Sequence, residues 1–161
     1  MKPTKTSAEV WRRVLQERLY SLHDVQYWAN VQIALLEAPP HWLIAVSTAR
    51  DAATAISSLG NVEGEADPLV VWSGLMKGWK ELLSREPTFD YEIARKVHLL
   101  AKYGEVPVPG ISSEMMSFLD ALDLSPAGMD GSRERERGRL LAFLKRWGNC
   151  DVLPNTPLQR T

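Results

Sequence analysis

Apolar residues in this chain return every three or four positions, and proline or glycine interrupts the pattern at most of the places where it stops. That period is one turn of an α-helix, whereas a half-buried strand needs alternation by two. The sequence therefore predicts an all-α fold, a single compact bundle or array of about six to seven helices. At 161 residues the chain is long enough for one hydrophobic core. A single α-helical domain is expected over 1–148, with 149–161 as a loose C-terminal tail.

The boundaries follow from capping chemistry. Thr6 and Glu9 have the spacing of a capping box, which starts a first helix carrying Trp11, Val14, Leu15, Leu19 and Leu22 on one face. His23-Asp24 offers a break, with Asp24 as the cap of a second helix running to about Glu37. Apolar residues cover more than a stripe of that second helix, so it is expected to be buried on several sides, at the centre of the fold. Pro39-Pro40 ends it, and one long third helix should reach Gly60. A polar linker leads to Asp67-Pro68, a cap and first-turn pair opening a fourth helix to about Arg85. A fifth helix follows Pro87-Thr88 and ends at Gly104, where glycine can take the left-handed conformation. Beyond the proline-rich connector 105–111, Ser112 or Ser113 should cap a short sixth helix. After a loop at 125–132, a seventh opens on Arg133-Glu134-Arg135-Glu136-Arg137 and ends before Gly148.

Charge narrows the function classes. The 19 Lys and Arg nearly cancel the 20 Asp and Glu, so no long-range field attracts nucleic acid or an anionic membrane, and neither partner is expected. The basic excess at Arg133–Arg139 with Lys145 and Arg146 reads as a solvated helix start. The single cysteine, Cys150, and an N-terminus without a continuous apolar run predict a cytoplasmic location. No apolar stretch approaches the roughly 20 residues that span a bilayer.

No catalytic constellation assembles from the spacing, and no cofactor is expected. His23-Asp24 resembles the central pair of metal-dependent HD phosphohydrolases, but no histidine precedes it. His41 lies a helix length away. Glu114, Asp120 and Asp123 on the sixth helix are the nearest approach to a carboxylate metal site, and serve more simply as a solvated face. Cys150 has only Arg146 close by in sequence to activate it.

Two sets of residues are left as candidates. Six tryptophans are a surplus for this length. In the fourth helix, Trp72, Leu75 and Trp79 adjoin Gly74 and Gly78, which open a groove one turn long. Those five residues are expected either to pack a neighbouring helix or to wall a cleft for a flat apolar ligand. In the seventh helix, Leu140, Leu141, Phe143, Leu144 and Trp147 form an apolar face suited to a homodimer interface.

The terminal residues Val152-Leu153-Pro154-Asn155-Thr156-Pro157-Leu158-Gln159-Arg160-Thr161 resemble the endings of proteins encoded by mobile gene cassettes of bacterial integrons, where the reading frame runs into the recombination site. The resemblance implies a bacterial cytoplasmic origin and a tail without folding duty. It implies no chemistry. The leading expectation is a non-enzymatic helical binding protein for a partner protein or a small hydrophobic ligand. The alternatives are an all-α metal-dependent hydrolase acting on a nucleotide or phosphoester, and a homodimeric interaction module.

Overall fold

The computed structural model describes residues 2–125 and 131–155, and among them the secondary structure is helical throughout. The helices are α1 (Lys5–Gln16), α2 (Leu22–Leu35), α3 (His41–Ser47), α4 (Ala52–Gly60), α5 (Pro68–Arg85), α6 (Asp90–Tyr103), α7 (Ser112–Asp123) and α8 (Ser132–Trp147), with a 3-10 turn at Pro87–Phe89. The all-α architecture is as the periodicity predicts. Part of the expected loop at 125–132, and the chain beyond Asn155, lie outside the described residues.

The axis is α5, which packs against α1 on one side and α8 on the other. Ten of its residues, from Val71 to Leu83, are buried. This corrects the placing of α2 at the centre. Only Asp24, Val25 and Ala29 of α2 are buried, while Tyr27, Val31 and Leu35 are 60%, 39% and 75% exposed. Helix α2 leans mainly on α3, and α3 and α1 both pack on α4. On the far side, α6 and α7 form a hairpin that closes against α8 and α5.

Several helix ends differ from the expected ones, each for a local reason. The capping box of α1 is Thr4 with Ser7, and Thr6 instead accepts the Asp67 amide at 3.0 Å, tying the start of α1 to that of α5. Helix α1 stops at Gln16, with Arg18 in the left-handed region at φ 57°. The Arg18 amide donates to Leu15 O and the Leu19 amide to Val14 O, the paired bonds of a Schellman motif with arginine where glycine is usual. Asp24 is the third helical residue of α2 rather than its cap. Its carboxylate accepts from the Ser21 amide at 2.6 Å while Ser21 Oγ accepts from the Asp24 amide.

The expected long third helix is two helices. Ser47 Oγ and Thr48 Oγ1 both donate back to Ile44 O, which ends α3, and the Asp51 carboxylate accepts from the Thr54 amide to start α4. Gln26 Nε2 of α2 donates to the freed carbonyls of Ser47 and Ala49. Gly104 ends α6 with extended rather than left-handed backbone, at φ −94°. Ile111 occupies the cap position of α7 without a side-chain bond, so neither Ser112 nor Ser113 has the expected capping role.

Helix α8 is fixed at both ends. At its start, the fully buried Asp90 carboxylate accepts from Arg133 Nε and Nη2 at 3.1 and 2.8 Å and from Arg137 Nε at 3.1 Å. The arginine run is therefore partly turned inward onto a buried carboxylate, and Arg139 pairs with Glu136. At its end, Ser73 Oγ donates to Trp147 O at 2.7 Å, and Gly148 lies on the α5 backbone. A Cβ there would meet the Lys77 amide nitrogen at 2.8 Å and Lys77 Cα at 2.9 Å.

Backbone atoms cannot yield as a side chain can, so Gly148→Ala is expected to destabilise the protein by about 2 kcal/mol or more through overpacking. Gly138, exposed on the same helix with nothing within 4 Å of a new Cβ, is the control. Gly138→Ala should stabilise by roughly 0.5–1 kcal/mol, the helix-propensity difference. Urea unfolding of the two variants measures both. Burial would raise the Asp90 carboxyl, but Arg133, the Tyr91 amide and Arg137 hold it below the ordinary value. Its stabilising effect is thus present above the unfolded carboxylate value and lost as pH falls below about 4. Asp90→Asn is expected to cost about 2–4 kcal/mol at pH 7, and the gap to wild type should narrow in acid, as read from unfolding at pH 7 and pH 3.

Candidate functional site

The five residues expected to wall a cleft on α5 do not share one. A Cβ at Gly74 would come within 2.8 Å of Val10 Cγ1, and one at Gly78 within 2.7 Å of Leu19 Cδ1. The groove that the glycines open is filled by α1, and the Schellman turn at Arg18 is what lays Leu19 over Gly78. Trp72, Leu75 and Trp79 are buried beside this contact. Trp72 and Leu75 border a cavity of ≈ 350 Å³ with Glu9, Arg13 and Leu100. Trp79 borders a different one of ≈ 460 Å³, with Leu19 and the ion pair Glu17–Lys96 on its walls.

The expected interface on α8 is internal. Leu140, Phe143 and Leu144 are buried in the chain's own core, and Trp147 lies half-buried, edge-on to Trp72 at 5.5 Å between ring centroids. Phe143 packs between Trp72 and Phe118. That face is therefore covered by α5 and α7 and is not free for a second copy. Glu114, Asp120 and Asp123 are exposed on α7. Among the described residues, no group of three or more His, Cys, Asp or Glu could hold a metal ion.

What brings a site together is the segment after α8. Residues 149–155, expected to be loose, run back across α5 and are held there. Lys77 of α5 is only 6% exposed, and its ammonium donates to Cys150 O at 2.8 Å, Leu153 O at 2.9 Å and Asn155 Oδ1 at 3.2 Å. Burial lowers the Lys77 pKa. Three acceptors on one cation offset that penalty and fold the segment around it. Cys150, Val152 and Leu153 are buried as a result, and the Tyr20 hydroxyl donates to Pro154 O at 3.1 Å. Burial likewise raises the Cys150 thiol, so this is a packed sulfur rather than an activated nucleophile.

The anchored segment faces α2 across a groove of ≈ 250 Å³. Tyr27, Trp28 and Val31 form one wall and Val152, Leu153 and Pro154 the other. The groove is predominantly apolar, and it continues along α2 as a smaller recess beside Gln32 and Ser7. Trp28 is the inner end of the wall. Its ring lies 5.7 Å from that of the fully buried Trp11 and 6.4 Å from that of Trp42, on which it stacks. From the groove, Tyr27, Val31 and Leu35 follow at four-residue spacing as an exposed apolar stripe.

No family model matches this chain, and no curated protein or solved structure matches it.

The sequence conceals this groove, because one wall has the composition of a core helix and the other that of a loose tail. Two signals were present. Lys77 is the only charged residue between Asp67 and Lys80, a lone cation in an otherwise apolar helix. The 12 residues between Asp24 and Glu37 carry no charge, although α2 lies at the surface.

If Lys77 is the anchor, Lys77→Met should release the segment while leaving the helices in place. Two carbonyls would lose their donor, at about 1–3 kcal/mol for each buried group. The expected result is that Cys150 reacts with a thiol reagent at least about tenfold faster than in wild type, with unchanged helical circular dichroism. Equal labelling rates would mean that packing alone holds the segment.

Proposed function

We propose that this chain is a binding protein whose working surface is the groove between α2 and residues 151–154, extended by the exposed stripe on α2. The observation that carries the reading is the exposure of Tyr27, Val31 and Leu35 on a helix that otherwise rests against the fold. Water-exposed apolar side chains are ordinary when scattered. Here they are aligned, free of charge and continuous with an apolar recess, the composition of the centre of a binding surface rather than of its rim. The cavity is slightly smaller than those that enclose drug-sized molecules, about 300–1,000 Å³, so it suits a small apolar ligand or one side chain of a partner.

This reading keeps the class expected from the sequence and moves its place. The Trp72–Trp79 face of α5 is mostly spent on packing α1 and α8, whereas the α2 groove is open among the described residues. The reading also needs no acid, base or nucleophile among the lining residues. Affinity is limited by area: at about 25 cal/mol per Å² of apolar surface removed from water, less the cost of association, a small ligand reaches micromolar dissociation constants at best.

Nile red, a neutral apolar dye, tests the surface without a known ligand. Wild-type protein should enhance its emission, and Tyr27→Ala with Val31→Gln should remove most of that gain. Both positions are substantially exposed, so unfolding free energy should change by less than about 0.5–1 kcal/mol. Dye binding that survives the double substitution would place the binding surface elsewhere, and the cavity bordered by Trp72 and Leu75 would be the next to examine.

A further inference from the structure

The cavity of ≈ 460 Å³ bordered by Trp79 shares no lining residue with the α2 groove. Three stretches of chain build it. The end of α1 gives one wall, with Glu17, Arg18 and Leu19, and the segment from Glu86 to Lys96 gives the other, with Phe89 and Glu92. Both walls pack on α5, whose Trp79 and Leu82 supply the apolar floor between them. Glu17 and Lys96 tie the walls together as an ion pair at 2.7 Å. Arg18 on the first wall and Glu86 and Glu92 on the second are exposed. Positive charge therefore stands on one side of an apolar floor and negative charge on the other.

Arg18 is placed there at a cost. Leu19 is seated on Gly78, which fixes the turn, and Arg18 takes φ 57°, a left-handed conformation that is unfavourable for any residue with a Cβ. The turn alone calls for glycine. What arginine adds is a guanidinium at the edge of the cavity.

We infer that this cavity is a second binding site, for a small zwitterion with an apolar body, the chemistry of a free apolar amino acid. It is separate from the α2 groove and does not depend on it. The floor takes the body of the ligand out of water. Arg18 offers a planar pair of donors for a carboxylate, and Glu86 and Glu92 attract an ammonium on the opposite side. A molecule with only one of the two charges gains one attraction and meets one repulsion. In a recess these charges are screened less than on an open surface. The volume lies within the range of small-molecule sites, about 300–1,000 Å³.

Three probes with one phenyl group and the same chain length test the inference. L-phenylalanine carries both charges, phenethylamine only the ammonium and 3-phenylpropionate only the carboxylate. Binding is followed by calorimetry and by the Trp79 indole N–H resonance, assigned with Trp79→Phe. L-phenylalanine should bind about fivefold more tightly than either analogue, the effect of one partly exposed ion pair. Arg18→Gly relieves the left-handed strain, so the fold is expected to persist, and it should bring L-phenylalanine down to the level of phenethylamine. Glu86→Gln with Glu92→Gln, both at exposed positions, should bring it down to the level of 3-phenylpropionate. The Tyr27→Ala, Val31→Gln protein should bind L-phenylalanine as wild type does. Loss of binding in that protein would place the zwitterion in the α2 groove and overturn the second site, leaving the proposed function standing. The inference also falls if L-phenylalanine binds no more tightly than the analogues, or if none of the three binds at up to about 10 mM. A failure of Nile red at the α2 groove would leave it untouched.

Discussion

Helix α5 can serve as the axis of this fold because α1 lies almost against its backbone. Val10 and Leu19 occupy the volume where side chains at positions 74 and 78 would stand. Glycine inside a helix costs about 1 kcal/mol relative to alanine, and here the shortened distance returns dispersion contacts along the whole α1–α5 seam. Much else is referred to that seam. The Schellman turn after α1 sets the direction in which the chain leaves toward α2. Thr6 holds the Asp67 amide so that the two helices start in register. On the opposite side of α5, Gly148 allows α8 to end on the same backbone. The buried Trp72 then fills the space between α5 and α8 with Phe143 and Trp147.

Lys77 converts that packed axis into a surface with a recess. An ammonium in the interior is tolerated when its donors are used, and its acceptors here come from a segment with little regular structure of its own. The segment has no helix or sheet partner for those carbonyls, so the lysine replaces the hydrogen bonds that secondary structure would otherwise supply. The groove thus depends on a charge that it does not contain. Its α2 wall is independent of that device, since Ser21, Asp24 and Gln26 secure α2 through its own cap and through the end of α3.

Helix content and the strongest boundaries could be read from residues, and the reasons are local. Asp67-Pro68 and the break before Pro87 are chemistry within one turn of the backbone, and the structure has both. The split of the long helix before Gly60 was also local, in Ser47, Thr48 and Asp51, but the alanine-rich face on either side concealed it. Position in the fold was another matter. A helix apolar on several sides usually lies in the interior, and α2 has that composition without that location. Its surplus is the candidate site, so the misplaced centre and the missed site are one error. Residues 149–155 were illegible for a different reason: their order comes from a lysine some seventy residues earlier, and no neighbouring residue signals it.

Two of the three acceptors of Lys77 are main-chain oxygens, which every amino acid carries. The anchor therefore fixes the path of residues 150–153 while remaining indifferent to much of what those residues are. The exposed residue at position 151 can therefore differ, altering the chemistry of the candidate groove, without disturbing the lysine that holds its wall. The fold separates the part of the wall that must stay constant from the part that can vary. A change on the face of the groove then carries little risk to folding.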